Sequence, residues 1–215
     1  MPVVISMLRG VNVGRHNRIK MDALRALYES LKLREARTYV QSGNVIFRSE
    51  RHPAEAPPAG GRERSRRAGL AKGGDLAAHI EDAIEHRWGF RPTVILRTAS
   101  ELRDVIARNP FAARHAIDPS RLLVLFLARE PGPEARNQLL RIRTDPEELR
   151  VSGRELYIYY PDGMARPKLS WTVIEKTLKT PATGRNWNSV LKLLEIAEGM
   201  ESAAADSRPF TKQPA

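Results

Sequence analysis

Cysteine is absent from the 215 residues, which removes disulfides, thiol nucleophiles and cysteine-ligated zinc together. No apolar run approaches the ~20 residues needed to span a membrane. The first residues also lack the basic stretch and apolar core of a signal peptide. A cytoplasmic bacterial location with no membrane partner is the expectation. Sequence signatures of chemistry are scarce too. The five histidines (His16, His52, His79, His86, His115) show no metal spacing, and HExxH and the GxSxG elbow are missing. The phosphate-binding GxxxxGK[ST] loop and the dinucleotide-binding GxGxxG pattern do not occur. No cofactor and no metal are expected.

Positive charge is what the chain has in excess, a formal +11. Residues 1–50 hold 9 Lys/Arg against 4 Asp/Glu, and residues 51–74 hold 6 against 2. Residues 75–199 are almost balanced, with 19 against 17. Of the 36 cations 28 are arginine, so compositional bias towards arginine competes with function as the cause of the total. It explains the clustering less well. A concentrated basic excess is the footprint of a polyanion-binding surface.

At this length two small subdomains sharing a core are expected, burying roughly 70% of the unfolded surface without staples. PVVISML is apolar almost throughout, as in a strand buried on both faces. MDALRALYESL places Met21, Leu24, Leu27, Tyr28 and Leu31 on one helical stripe. RTYVQSGNVIFRS reads as two β-rich arms about Ser42-Gly43-Asn44. DLAAHIEDAIEHRW spaces Leu76, Ile80, Ile84 and Trp88 four apart, a helix, and PTVILRT follows as a strand. That order is β-α-β-β-α-β, the split β-α-β of the ferredoxin-like fold with right-handed crossovers.

A linking helix, SELRDVIARN, should end at Asn109-Pro110. The pattern then nearly repeats: strand RLLVLFLA, a helix opened by Pro133, a hairpin about Ser152-Gly153 and the helix LSWTVIEKTLK. In place of a sixth element of strand type stands the helical pattern NWNSVLKLLEIA. The expected architecture is therefore α+β: two ferredoxin-like-related halves with antiparallel sheets, plus a C-terminal helix. The first half is residues 1–98 and the second 99–199. Residues 51–74, rich in Pro, Gly, Ala and Arg, read as a disordered insert, and 200–215 as a disordered tail.

The stretch MLRGVNVGRHNRIKM carries Arg9, Arg15, Arg18 and Lys20 with no acid, between a strand and a helix. Glycines such as Gly14 let backbone amides approach a ligand, and a helix start offers unpaired N–H groups and partial positive charge. Asn12 and His16 lie in the same loop, with His16 the one histidine placed for acid–base work. The bland alternative is a turn whose cations stay solvated. Gln41, Ser42 and Asn44 are either hairpin chemistry or polar groups presented beside that loop. In TGRNWNSVLKLLE, Trp187, Val190, Leu191, Leu194 and Ala197 share a helical face, and Thr183 or Asn186 can cap it. Arg185 then stands at the positive end of a helix, a mild local conflict that asks for an anion or for an acid of the other half. Tyr157 and Tyr159 share one strand face and Leu156, Ile158 and Tyr160 the other, as buried sheet tyrosines would.

LRGVNVG, TYVQSGNVIF and RNWNSVLKL, in that order, resemble the domain-of-unknown-function family numbered 1697, over Met1 to about Ala197. The resemblance implies two ferredoxin-like-related halves and no particular activity. Departures fall at Arg15, at Pro167 before Lys168, and at Gly184 before the RNWN motif, each a turn that could face a ligand. The favoured reading is a non-catalytic module that binds nucleic acid or a phosphorylated small molecule. Its candidate contacts are the loop and hairpin residues above with Lys168, Arg185 and Asn186. The alternatives are an enzyme on a small phosphorylated or carboxylated metabolite and a protein-interaction scaffold.

Overall fold

The computed structural model describes residues 1–14, 16–50, 76–114, 117–142, 144–164, 169 and 171–206. Among them run eight strands and six α-helices: β1 Val3–Leu8, α1 Met21–Ser30, β2 Arg34–Tyr39, β3 Asn44–Arg48, α2 Leu76–Trp88, β4 Val94–Thr98 and α3 Ala99–Ala107. Then come β5 Leu122–Leu127, α4 Pro133–Leu140, β6 Glu148–Ser152, β7 Glu155–Tyr159, α5 Trp171–Leu178, β8 Ala182–Asn186 and α6 Trp187–Asp206. Two antiparallel four-stranded sheets result, ordered β2-β3-β1-β4 and β6-β7-β5-β8. The fold is α+β, and both halves run β-α-β-β-α-β.

The central strands explain the apolar runs. Val3, Ile5 and Met7 of β1 face a core shared by the halves, while Val4 and Leu8 face α1 and α2. In β5, Leu122, Val124 and Phe126 face the shared core, and Leu125 and Leu127 the side of α4 and α5. Between the sheets, α3 and α6 pack on each other and fill the shared core with Leu102, Val105, Val190 and Leu193. Tyr157 and Tyr159 point into that core and Tyr160 to the opposite face, as strand alternation requires.

Several expectations need correction, among them the tail, since the final helix runs on from the expected boundary at residue 200 to Asp206. A strand, β8, does complete the second half before the final helix. Its sequence ATGRN shows no apolar alternation because Thr183 and Arg185 turn towards polar backbone of the first half, not towards a greasy face. On α6 the buried series is Trp187, Val190, Leu193, Ala197 and Met200, whereas Leu191 is exposed. The hairpin turn also falls one residue early: Asn44 opens β3, and Gly43 closes the turn at φ +72°. A Cβ on Gly43 would stand 3.0 Å from the Leu8 Cβ, so conformation and space both demand glycine. No helix among the described residues is long and apolar enough to cross a membrane. The 51–74 insert lies outside the described residues.

Three tyrosines are sealed by this packing. Tyr28 shares a 2.7 Å hydrogen bond with Ser6, and the Tyr157 hydroxyl donates to the Val105 carbonyl at 2.7 Å. Burial raises the phenols of Tyr28 and Tyr157 far above the ordinary value, and that of Tyr160 to about 12. Their folded values exceed the unfolded value near ~10, so the stability they confer is intact below it and lost as pH climbs through the folded values. In an alkaline titration read by tyrosinate absorbance, these three of the five tyrosines should stay neutral until the chain unfolds. Gradual ionisation of all five in the native state would contradict this packing.

Candidate functional site

The loop after β1 is braced rather than free. Val11 and Ile19 are buried beneath it. Asn12, in the left-handed region at φ +56°, clamps its two ends. Its Oδ1 accepts from the Ile19 amide at 2.8 Å, and its Nδ2 donates to the Ile19 carbonyl at 3.0 Å and to the Gln41 carbonyl at 2.9 Å. The last bond ties the loop to the β2–β3 turn through the backbone of Gln41, while Ser42 pairs with Asn44 and Arg185. Gly14, His16, Arg18 and Lys20 remain exposed on the outer side. Lys20 precedes the first turn of α1, and no side chain caps that turn.

Arg185 does not reach solvent. Its guanidinium is buried and gives all five N–H groups to the protein. Nε donates to Asn44 Oδ1 at 2.5 Å. Nη1 donates to Thr183 Oγ1 at 2.8 Å and the Gly184 carbonyl at 2.7 Å. Nη2 donates to the carbonyls of Leu8 at 2.9 Å and Ser42 at 3.2 Å. The local conflict noted in the sequence is thus resolved by oxygen dipoles of the first half. No carboxylate joins them among the described residues, and burial pushes the guanidinium down to about 10. Asn44 completes the knot, donating to Ser42 Oγ at 2.9 Å and the Tyr39 carbonyl at 3.1 Å. Asn186 caps α6 through the Asn188 amide at 3.0 Å and donates to the Ser120 carbonyl at 2.8 Å. Arg9 is ion-paired with Glu175 on α5. Arg185, Asn44, Asn186 and Arg9 therefore serve the architecture, which leaves Arg18 and Lys20 as the outward cations. Arg15 and Lys168 lie outside the described residues.

Sequence reading missed the counterpart of Arg185. Arg97 of β4 sits opposite Ile5, the third residue of β1, just as Arg185 of β8 sits opposite Val124, the third residue of β5. Arg97 Nε donates to Glu155 Oε1 at 3.0 Å, and Nη1 to the Leu96 carbonyl at 2.9 Å. Its Nη2 donates to the Leu127 carbonyl at 2.9 Å. Leu127 ends β5 as Leu8 ends β1, and Glu155 opens β7 as Asn44 opens β3. Each half thus lends the other one buried arginine from the same register position. The partners differ: Arg97 has a carboxylate, Arg185 an amide. The available signal was an arginine inside the otherwise buried strand VILRT. Among the described residues no group of three or more His, Asp or Glu is arranged to hold a metal.

The model of the family described as "Protein of unknown function (DUF1697)" matches residues 1–71 and 65–157, and the chain belongs to that family. A solved structure of a conserved bacterial protein from Streptococcus pneumoniae is similar at a TM-score of 0.59 and 19% identity, covering 92% of this chain and 99% of that one. The likeness extends over both halves and concerns the fold. No curated protein matches.

Removing the Arg185 side chain would leave Asn44 Oδ1 unpaired in the interior, take the Ser42 carbonyl's bond, and leave the Leu8 carbonyl only the long 3.4 Å bond from Thr183. Unpaired buried acceptors cost about 1–3 kcal/mol each. Arg185→Ala should therefore lose about 3 kcal/mol or more, roughly 6–12 °C in melting temperature for a chain of this length. Lysine in its place, with a point charge and three donors, should recover only part of that loss. A melting temperature unchanged by Arg185→Ala would show that the knot carries no load.

Proposed function

We propose that this member of the DUF1697 family is a non-catalytic module that binds a phosphate-bearing ligand, nucleic acid being the simplest, on the outer side of the β1–α1 loop. One observation carries the reading: the buried Arg185 charge has no acid beside it among the described residues and lies under the loop's own anchor points, Leu8 and Ser42. A charge held in a poorly polarisable interior acts further than one in water. At an effective dielectric of about 20 it is worth about 1–2 kcal/mol to a unit anion about 10 Å away.

Arg18 and Lys20 add exposed charge in the loop and form no ion pair with a described residue. The start of α1, where Lys20 makes no side-chain cap, offers N–H groups next to the loop, with Asp22 in the first turn. His16 is exposed in the same loop, with no carboxylate from a described residue to orient it, and an acid–base group needs such a partner to fix its tautomer and direction. That weighs for binding over catalysis.

Fluorescence titration of a short oligonucleotide at several salt concentrations tests this. Log affinity should fall linearly with log salt, and Arg18→Ala and Lys20→Ala should each make the slope shallower by about 0.7–0.9. Neither residue is part of the interior knot, so both variants should melt with the natural chain. Salt-independent binding, or a slope untouched by both substitutions, would remove the loop from the reading.

A further inference from the structure

Asn12 gathers more than the two ends of its own loop. Its side chain bonds Ile19 through both backbone groups and Gln41 through the carbonyl. The chain neighbours of those three residues include Val13, Arg18, Lys20 and Val40, all exposed. Chain geometry and the 2.9 Å bond to Gln41 keep the Val13 and Val40 Cα atoms within about 17 Å of each other. One asparagine therefore sets two cations and two apolar side chains in one patch. We propose that this patch takes single-stranded nucleic acid in preference to duplex, the valines packing on unstacked bases while Arg18 and Lys20 meet phosphates. This assignment rests on the binding reading above and narrows its ligand.

Both valines are out of place on ordinary grounds. At 68%, Val13 is the most exposed large apolar side chain among the described residues. Val40 is 48% exposed and lies in the left-handed region at φ +47°, where a β-branched side chain is strained. Hydrogen bonds hold it there from both sides. The Tyr39 carbonyl accepts from Asn44 Nδ2 at 3.1 Å, and the Gln41 carbonyl accepts from Asn12 Nδ2. Asparagine or glycine would make the same turn with less strain. What valine adds is a pair of exposed methyl groups beside a basic loop, and strain kept in this way points to use.

A polyanion that also offers apolar faces fits such a patch. In a duplex the base faces are stacked inside, leaving phosphate, sugar and groove edges to a protein. In a single strand the faces lie open to side chains next to the charge. Charge complementarity is undiminished at the loop: Asp22, the first acid in the chain, is paired with Arg25.

Fluorescence anisotropy of the full chain with a short labelled DNA strand, and with the duplex it forms with its complement, tests the preference. The single strand should bind more tightly by about threefold or more, although charge density alone favours the duplex. Val13→Ser combined with Val40→Asn should weaken single-strand binding about tenfold and leave duplex binding unchanged. The salt slope of that variant should match the natural chain's, because its phosphate contacts remain. Asparagine relieves the strain at position 40, so the double variant should melt no lower than the natural chain. Equal or tighter binding of the duplex, or a double variant that holds the single strand as the natural chain does, would overturn the proposal. So would sedimentation with phosphatidylserine vesicles that the double variant abolishes while both DNA forms bind alike. The Arg18→Ala and Lys20→Ala salt slopes are read separately, so the loop can bind phosphate even where this preference fails.

Discussion

The reciprocal exchange of two buried arginines is the constraint on which the rest of the molecule depends. Arg185 leaves the second half to satisfy the ends of β1 and the β2–β3 turn, and Arg97 leaves the first to satisfy the end of β5 and Glu155. The shared apolar core beneath them pulls the halves together without choosing a register, because burial of apolar surface is non-directional. Guanidinium groups with fixed donor directions do choose one. Breaking a buried ion pair by removing one partner costs about 3–5 kcal/mol, although the intact pair adds little over an apolar replacement. We therefore assign these residues the role of fixing how the halves sit.

That arrangement also accounts for much of the arginine content. Arg9, Arg48, Arg91, Arg97, Arg103, Arg114 and Arg154 are each ion-paired within the fold. Each such pair already cancels in the formal +11, so pairing lowers the number of free arginines and leaves the net charge as it is. Of the cations in the β1–α1 loop, Arg18 and Lys20 stay outward, while Arg185 is met inside by oxygen dipoles and not by a carboxylate among the described residues. In the second half, one change in kind, a glutamate where the first half has an asparagine, cancels the charge of the buried arginine. The two halves differ in electrostatics while sharing one backbone plan.

The sequence was legible where a segment's environment was uniform. β1 and β5 are buried on both faces and read as apolar runs; α1 has one wet and one dry face and reads at helical spacing. It was illegible where the environment was polar backbone. β8 carries ATGRN because its inward groups meet carbonyls, so hydrophobic periodicity had nothing to register. Arg185 was flagged as a conflict with the helix end, but its solution came from residues more than a hundred positions away, a separation no local rule spans. The equivalence of the two arginines was hidden for the same reason: VILRT and ATGRN share a register and an arginine, and almost no identity. Of the candidate contacts, Asn12 reaches the backbone of Gln41, whereas Arg9, Asn44, Arg185 and Asn186 are turned to structural use.

Hydrogen exchange of an Arg185→Leu variant, compared segment by segment with the natural chain, tests the central claim most directly. If an arginine borne by the second half secures the first, protection of Val3–Leu8 and Asn44–Arg48 should fall together with that of Ala182–Asn186. A loss confined to the second half, with β1 and β3 as protected as before, would contradict it.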